Sequence, residues 1–285
     1  MPVLAMFTLI VQQKHIGTHS DFLMDNFEEE EFCNNNNIEK ILPLSTRYPD
    51  FLKSKKRKTQ RTLYSINYPS DLQRGIAVVG SRDCSNEGKE FAYKLGQKLA
   101  ESKTVLNSGL ARGIDTNAHM GCLEKHGTTY AFLAWFHKLY PPENSILLNR
   151  IIENGSVFSH NVFMPKEKQK YEFLKRDEYM ALFSNAIVIV ETKPVGGAMY
   201  TAKYGLKKKI PIIVCDTQTK NPDLINGFKV LADLKAHVIS SPEEIIGFVN
   251  NQRENPKLND FFNESSHNST DGVFQNSVNS DRHTI

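Results

Sequence analysis

The sequence predicts an open, doubly wound α/β domain whose mostly parallel sheet is covered by helices on both faces. Two observations lead there. Between residues 75 and 250 short β-branched runs recur, bounded by Gly, Ser, Asn or Pro, and the stretches between them carry the apolar spacing of amphipathic helices. Strand and helix in alternation form βαβ units, which bury a parallel sheet from both sides. In chain order the strands are expected at residues 76–79, 104–106, 129–133, 157–159, 186–190, 210–214 and 237–239. The helix beginning near Asn86 places Phe91, Leu95 and Leu99 at i, i+4 and i+8, on one face.

Composition sets the limits of the reading. With 285 residues, 40% hydrophobic and 24% charged, the chain can bury a real core as one large domain with extensions or two small ones. Lys and Arg number 35 against 32 Asp and Glu, a formal charge of +3, so nucleic-acid binding has to come from a local basic patch. Cys33, Cys84, Cys122 and Cys215 show no C-x-x-C spacing, which points to reduced thiols and away from a disulfide framework or structural zinc. The apolar run at residues 3–11 is too short to span a bilayer and has no basic residue before it, so a cytoplasmic protein without a membrane anchor is expected.

Three segments follow. Residues 1–62 form an expected leader, partly irregular, with an acidic stretch at 25–31, four asparagines at 34–37 and a basic run from Lys53 to Arg61. Residues 63–250 form the folded domain. Residues 251–285, rich in Asn, Ser, Asp and His, are expected to be a disordered tail.

In a doubly wound sheet ligands bind beyond the carboxyl ends of the strands, where helix N-termini offer amides and a positive dipole end. The first such loop reads Gly80-Ser81-Arg82, the second runs from Ser108 to Asp115 as SGLARGID, and the fifth is Val195-Gly196-Gly197-Ala198 before a helix containing Thr201. Glycine permits close backbone approach and arginine supplies a forked cationic donor, so these loops suggest a phosphate-lined groove. The competing explanation is tight turns with arginines paired to carboxylates such as Asp83 or Asp115. The first turn lacks G-x-G-x-x-G, and neither a P-loop nor a G-x-S-x-G elbow occurs, which argues against a nicotinamide enzyme, a P-loop nucleotidase and a serine hydrolase. His119 falls inside a helix and reads as a packed histidine. No catalytic constellation, cofactor or metal set emerges.

The strings VVGSR at 78–82, SGLARGIDTNAH at 108–119, YPPEN at 140–144, ENG at 153–155 and GGAMYTA at 196–202 resemble the DNA-processing protein A (DprA/Smf) family over roughly residues 60–249. That resemblance implies a Rossmann-like domain that binds single-stranded DNA, forms a homodimer and loads a RecA-type recombinase during DNA uptake or recombination, as a binding protein and not an enzyme. Carried over residue by residue, it implies DNA contacts by Ser81, Arg82, Gly109, Arg112, Gly113, Phe173, Lys175 and Arg176; Gly196, Gly197 and Thr201 join them from the fifth loop. The chain departs from the family pattern at Arg176-Asp177-Glu178 in place of Arg-Asn-Arg, putting two carboxylates beside the expected groove. It departs again at Gly196-Gly197-Ala198 in place of Ser-Gly-Ser, and at Cys215-Asp216-Thr217-Gln218 in place of a glycine-rich loop. The same loops also admit a small-nucleotide sensor of a conflict (antiphage) system, and more weakly a nucleoside-phosphate hydrolase, whose glutamate-bearing Gly-Gly signature is not found: Glu191 ends a strand near Gly196 and Gly197, but with a different spacing and loop.

Overall fold

The computed structural model describes residues 23–53, 61–167 and 169–254, with side chains given from Phe27 to Asn251 within those limits. The chain divides into two compact units, residues 1–246 and 247–285. The first carries the fold set out below; of the second, only the continuation of the last helix to Glu254 is described.

Nine strands make one sheet: β1 (Glu39–Ile41), β2 (Leu63–Ile66), β3 (Gly75–Val79), β4 (Leu106–Ser108), β5 (Thr129–Leu133), β6 (Ser156–Ser159), β7 (Ser184–Ile189), β8 (Ile212–Cys215) and β9 (His237–Ile239). Their spatial order is β1-β2-β6-β5-β4-β3-β7-β8-β9. The seven strands from β6 to β9 pair in parallel, while β1 and β2 join antiparallel at one edge. The chain lays down β3 to β6 in one direction, returns to place β7 beside β3, and continues the other way through β8 and β9. The helices are α1 (Leu23–Asn35), α2 (Asn86–Glu101), α3 (Ile114–Glu124), α4 (Ser145–Asn154), α5 (Gln169–Leu182), α6 (Gly197–Lys207), α7 (Pro222–Asp233) and α8 (Glu244–Glu254). The expected doubly wound α/β class is the one observed.

Strand alternation creates two apolar layers. Tyr130 and Phe132 of β5 join Phe158, Phe183, Ile187, Met180 and Ala202 on one face, while Ala131 and Leu133 join Leu110, Leu148, Ile151 and Cys33 on the other. Phe132, Phe158 and Phe183 pack with ring centroids 4.9–5.5 Å apart, and each such fully buried ring contributes about 2–3 kcal/mol by leaving water. The α2 periodicity holds, since Phe91, Leu95 and Leu99 are all buried.

Two expectations need correction. The leader is not outside the fold: β1 pairs with β2, so the expected boundary between residues 62 and 63 falls inside the sheet, and Ile41 and Tyr48 enter its core. The acidic stretch lies in α1, where Glu29 accepts from Lys40 (2.7 Å) and from the Tyr64 hydroxyl (2.8 Å). The asparagine tract ends that helix. The Asn36 amide donates to the Phe32 carbonyl (2.8 Å), and Asn37 adopts φ 52°, a left-handed turn that asparagine tolerates. The strand expected at 104–106 runs instead over Leu106–Ser108 because its polar residues are satisfied internally. The Asn107 amide donates to the Phe183 carbonyl (2.8 Å) and the Ser108 hydroxyl to the Val78 carbonyl (2.6 Å). Of the basic run, Lys53 pairs with Asp50 and Arg61 approaches Glu172; residues 54–60 lie outside the described residues. So does the tail from 255 onward, whereas residues 251–254 belong to α8.

Glu191, just past β7, ties three loops together. Its backbone carbonyl accepts from Ser81 N–H (2.7 Å). Its carboxylate accepts from Ser85 N–H (2.8 Å), the Ser85 hydroxyl (2.6 Å) and the Thr217 hydroxyl (2.8 Å), and Ser85 in turn caps α2 by accepting from Gly88 N–H (2.9 Å). This buried carboxylate is therefore engaged in holding the strand ends. Glu191→Ala leaves these donors unsatisfied and is expected to lower stability by about 2–4 kcal/mol, read as a shift in the urea midpoint; a shift below about 0.5 kcal/mol would mean that solvent replaces the carboxylate without loss.

Candidate nucleic-acid interface

The reversal of winding brings the carboxyl ends of β3, β4 and β7 together, and a groove of about 820 Å³ opens there. The loop after β3 contributes Ser81 and Arg82, the loop after β7 contributes Thr192 and Lys193, and α6 begins at the rim with Gly196, Gly197 and Ala198. Helix α5 lays Phe173, Arg176 and Asp177 along one wall, and the segment after β5 adds Trp135, Lys138 and Tyr140. Side-chain bonds fix α5 in place. Glu172 accepts from Asn161 Nδ2 (2.8 Å) and pairs with His160 Nε2 (2.7 Å), and Glu178 accepts from the Tyr200 hydroxyl (2.6 Å) and from Lys175 Nζ (2.8 Å).

Of the residues singled out from sequence, Ser81, Arg82, Phe173, Arg176, Gly196, Gly197 and Thr201 line this groove. The Arg82 guanidinium carbon lies 5.7 Å from the Tyr140 ring centre and 5.9 Å from that of Phe173, within cation–π range of both. Phe173 meets Trp135 edge-on at 5.1 Å and Tyr140 at 5.8 Å. The Thr201 hydroxyl donates back to the Gly197 carbonyl (2.9 Å), so its proton serves the first turn of α6.

The second loop is used differently. Gly109 lies under the groove, where an added Cβ would collide with the Arg176 guanidinium; its lack of a side chain makes room for that charge. Gly113 takes φ 78°, and a Cβ there would come within 2.5 Å of the Ser81 carbonyl oxygen, so it packs the second loop against the first. Arg112 is exposed and paired with Glu143, and Lys175 is paired with Glu178; neither they nor Gly113 is among the lining residues.

Arg176 is a buried counter-ion. Its Nε lies 3.2 Å from Asp177 Oδ1, and its charge also acts on Asp115, whose Oδ2 accepts from the backbone N–H of Gly109 (3.1 Å) and Ala111 (3.3 Å). Burial pushes both carboxyls up to about 6, and Arg176 works against that rise in each case. The expected pair of groove carboxylates is thus half right: Asp177 lines the groove, while Glu178 is turned to Tyr200 and Lys175. His119 is fully buried, with Nδ1 2.8 Å from Thr129 Oγ1, and burial drives it down to about 3, as befits a neutral packed histidine.

Sequence reasoning missed Trp135, Lys138, Lys170 and Lys193, and gave Tyr140 no role beyond a motif. Only the YPPEN string pointed to that part of the rim. Counting every side chain on the groove, five cations (Arg82, Lys138, Lys170, Arg176, Lys193) face three carboxylates (Asp83, Asp115, Asp177). The lining is net cationic by two charges when all are ionised. Among the described residues no group of three or more His, Cys, Asp or Glu is disposed to hold a metal ion, and no helix is long and apolar enough to cross a membrane.

The model of the DNA recombination-mediator protein A family matches residues 39–250. Protein Smf of Synechocystis sp. is 35% identical over 131 residues, covering 46% of this chain and 33% of that protein. DNA processing protein DprA of Streptococcus pneumoniae is 31% identical over 133 residues, 47% of each chain. The chain therefore spans between a third and a half of the length of these curated relatives. Two solved structures share the fold, each with a TM-score of 0.63. DNA processing protein A of Helicobacter pylori, described for its single-stranded DNA binding mode, is 22% identical over 75% of this chain and 96% of its own. DprA of Streptococcus pneumoniae is 24% identical over 86% and 90%.

Proton linkage gives the groove a measurable signature. Asp177 rises from an ordinary 3.8 to about 6, so the folded state holds a proton that the unfolded chain releases, and this group's contribution to stability falls as pH climbs from about 4 to about 6. Buried His119 and His160, both lowered, act in the opposite sense, losing stability as pH drops below about 6.5; the comparison with a variant isolates the carboxyl. Wild type is expected to lose on the order of 2 kcal/mol relative to Asp177→Asn between pH 4 and pH 6, measured from urea midpoints, with a constant difference above that window. A difference that is flat throughout would place Asp177 in solvent.

Proposed function

Because the chain belongs to the DNA recombination-mediator protein A family, we propose that it binds single-stranded DNA in the switch-point groove and assists DNA processing, uptake or recombination by delivering the strand to a RecA-type recombinase. It acts as a cytoplasmic homodimer and as a binding protein, not an enzyme. The observation that carries the reading is the Arg82 guanidinium set against Tyr140 and Phe173 at the mouth of a net cationic groove. Arginine and lysine track phosphates, and an aromatic face accepts any base, which is the combination sequence-tolerant single-strand binding requires.

In this reading Arg82, Lys138, Lys170 and Lys193 neutralise phosphates. Ser81 and the first amides of α6 at Gly196 and Gly197 offer further donors, and Phe173 with Tyr140 provides the stacking face. Arg176, Gly109 and Gly113 hold the loops that present these groups, Thr201 secures the first turn of α6, and Arg112 and Lys175 stand outside. A hydrolytic role for Glu191 is disfavoured by its engagement with Ser85 and Thr217.

Fluorescence anisotropy of a labelled single strand tests this. Arg82→Ala is expected to weaken binding about tenfold and to reduce the log–log salt slope by about 0.7, one phosphate's worth; Arg112→Ala costs less, because its guanidinium is held by Glu143. The chain has one tryptophan, Trp135, packed on Phe173, so strand binding is expected to change intrinsic fluorescence. Binding that is unaltered in Arg82→Ala, or thermal stabilisation by mononucleotides with no response to a strand, would overturn the reading; the latter result would transfer the groove to a small-nucleotide ligand.

Affinity should also respond to protons. With both buried carboxyls up at about 6, lowering pH from 7.5 to 5.5 removes negative charge from the groove, and single-strand affinity is expected to rise several-fold at low salt. Affinity that falls over this range, measured by the same anisotropy, would separate Asp115 and Asp177 from the strand.

A further inference from the structure

Resting on the reading of this groove as a single-strand site, we propose that Asp177 reads base identity, accepting hydrogen bonds from the Watson–Crick edge of a guanine stacked on Phe173. Phe173 and Asp177 are four residues apart on α5 and both line the groove. They occupy one helix face little more than a turn apart, a rise of about 6 Å. A base lying on the Phe173 ring reaches that far, and in a single strand its pairing edge is free to be read.

The chemistry of the carboxylate selects the base. An ionised carboxylate is an acceptor with about four lone-pair directions, and the contact with Arg176 Nε, 3.2 Å from Oδ1, leaves the others. Oδ2 faces the first turn of α6, where a Cβ added at Gly197 would stand 3.6 Å from it; the glycine leaves that contact unfilled, and the carboxylate keeps an exposed edge on the groove. Phosphate is repelled by this charge, so its favourable partner on a bound strand is a donor-bearing base edge. Guanine presents two adjacent donors, N1–H and the N2 amino group, in register with two carboxylate oxygens. Thymine places one donor between two acceptors, and cytosine and adenine each set an amino group beside an acceptor nitrogen. Burial of Asp177 strengthens the bonds made and raises the cost of a base that leaves its acceptors unmatched.

The test is competition against a labelled all-thymine strand, using the full chain at pH 7.5. The unlabelled competitors are an all-thymine strand, the same strand with one central guanine, and the same strand with hypoxanthine, which lacks the N2 amino group, at that position. The guanine strand is expected to compete about tenfold better than the thymine strand, hypoxanthine to lose most of that gain, and Asp177→Asn to bring guanine and thymine within about twofold. Equal competition by all three against wild type would overturn base reading while leaving the groove a strand site, and an unchanged guanine preference in Asp177→Asn would remove Asp177 from the contact. No binding of any strand would overturn the strand-binding reading and this one with it. Should Asp177→Asn fail to fold, judged by circular dichroism, the hypoxanthine strand against wild type decides alone.

Discussion

The Arg176 guanidinium sits between two carboxylates that the fold withdraws from water, one at the start of α3 and the other its own neighbour on α5. Several features of the switch point follow from that arrangement. Gly109 is needed because the guanidinium occupies the place of a side chain there. Asp115 is free to gather the amides of Gly109 and Ala111 because its charge is compensated. Leaving either carboxylate uncompensated at this depth would cost about 3–5 kcal/mol, enough to splay the loop after β4 away from α5. The resemblance implied a phosphate ligand at this arginine; in the fold its charge is engaged beside Asp177, 3.2 Å away, and on the proposed reading the phosphates are met by Arg82 and by lysines delivered from three other segments.

The fold was largely legible because its signal is dense. Runs such as Ile187-Val188-Ile189 and Ile212-Ile213-Val214 admit few assignments, and the alternation of strands with helical periodicity settles the class. What escaped did so for a local reason. In β4 two polar residues, Asn107 and Ser108, are buried with their bonds made, and a hydropathy pattern reads them as the end of a strand. In the leader, acidic and asparagine-rich sequence looks solvated, yet it contributes one exposed helix face and a left-handed turn, with Cys33, Ile38, Ile41 and Tyr48 buried between them.

The site was legible where one loop carries its own signal and illegible where topology assembles it. Gly80-Ser81-Arg82 follows a recognisable strand, and Arg82 lies in the groove. Arg112 looks the same on paper, but whether a loop arginine meets a ligand or a carboxylate depends on Glu143, thirty-one residues further on. Lys138, Lys170 and Lys193 follow different strands or open a helix, and no spacing rule joins them. Asp177 and Glu178 are adjacent yet face different ways, as consecutive residues on a helix do, about 100° apart.

The antiparallel pair at the sheet's edge has a consequence for how the molecule behaves in company. β1 is only three residues long and carries Glu39 and Lys40, each engaged in an ion pair, with Arg47 and Glu29. A short, charged border of this kind is a poor template for strand addition by another chain. Behind it, β2 is fully buried and paired on both sides. A fragment cut between residues 62 and 63 would keep β2 but strip its outer neighbour, presenting a row of unpaired amides and carbonyls flanked by Leu63 and Ile66. The leader thus keeps the sheet finite, a matter of solubility that is separate from anything the groove binds.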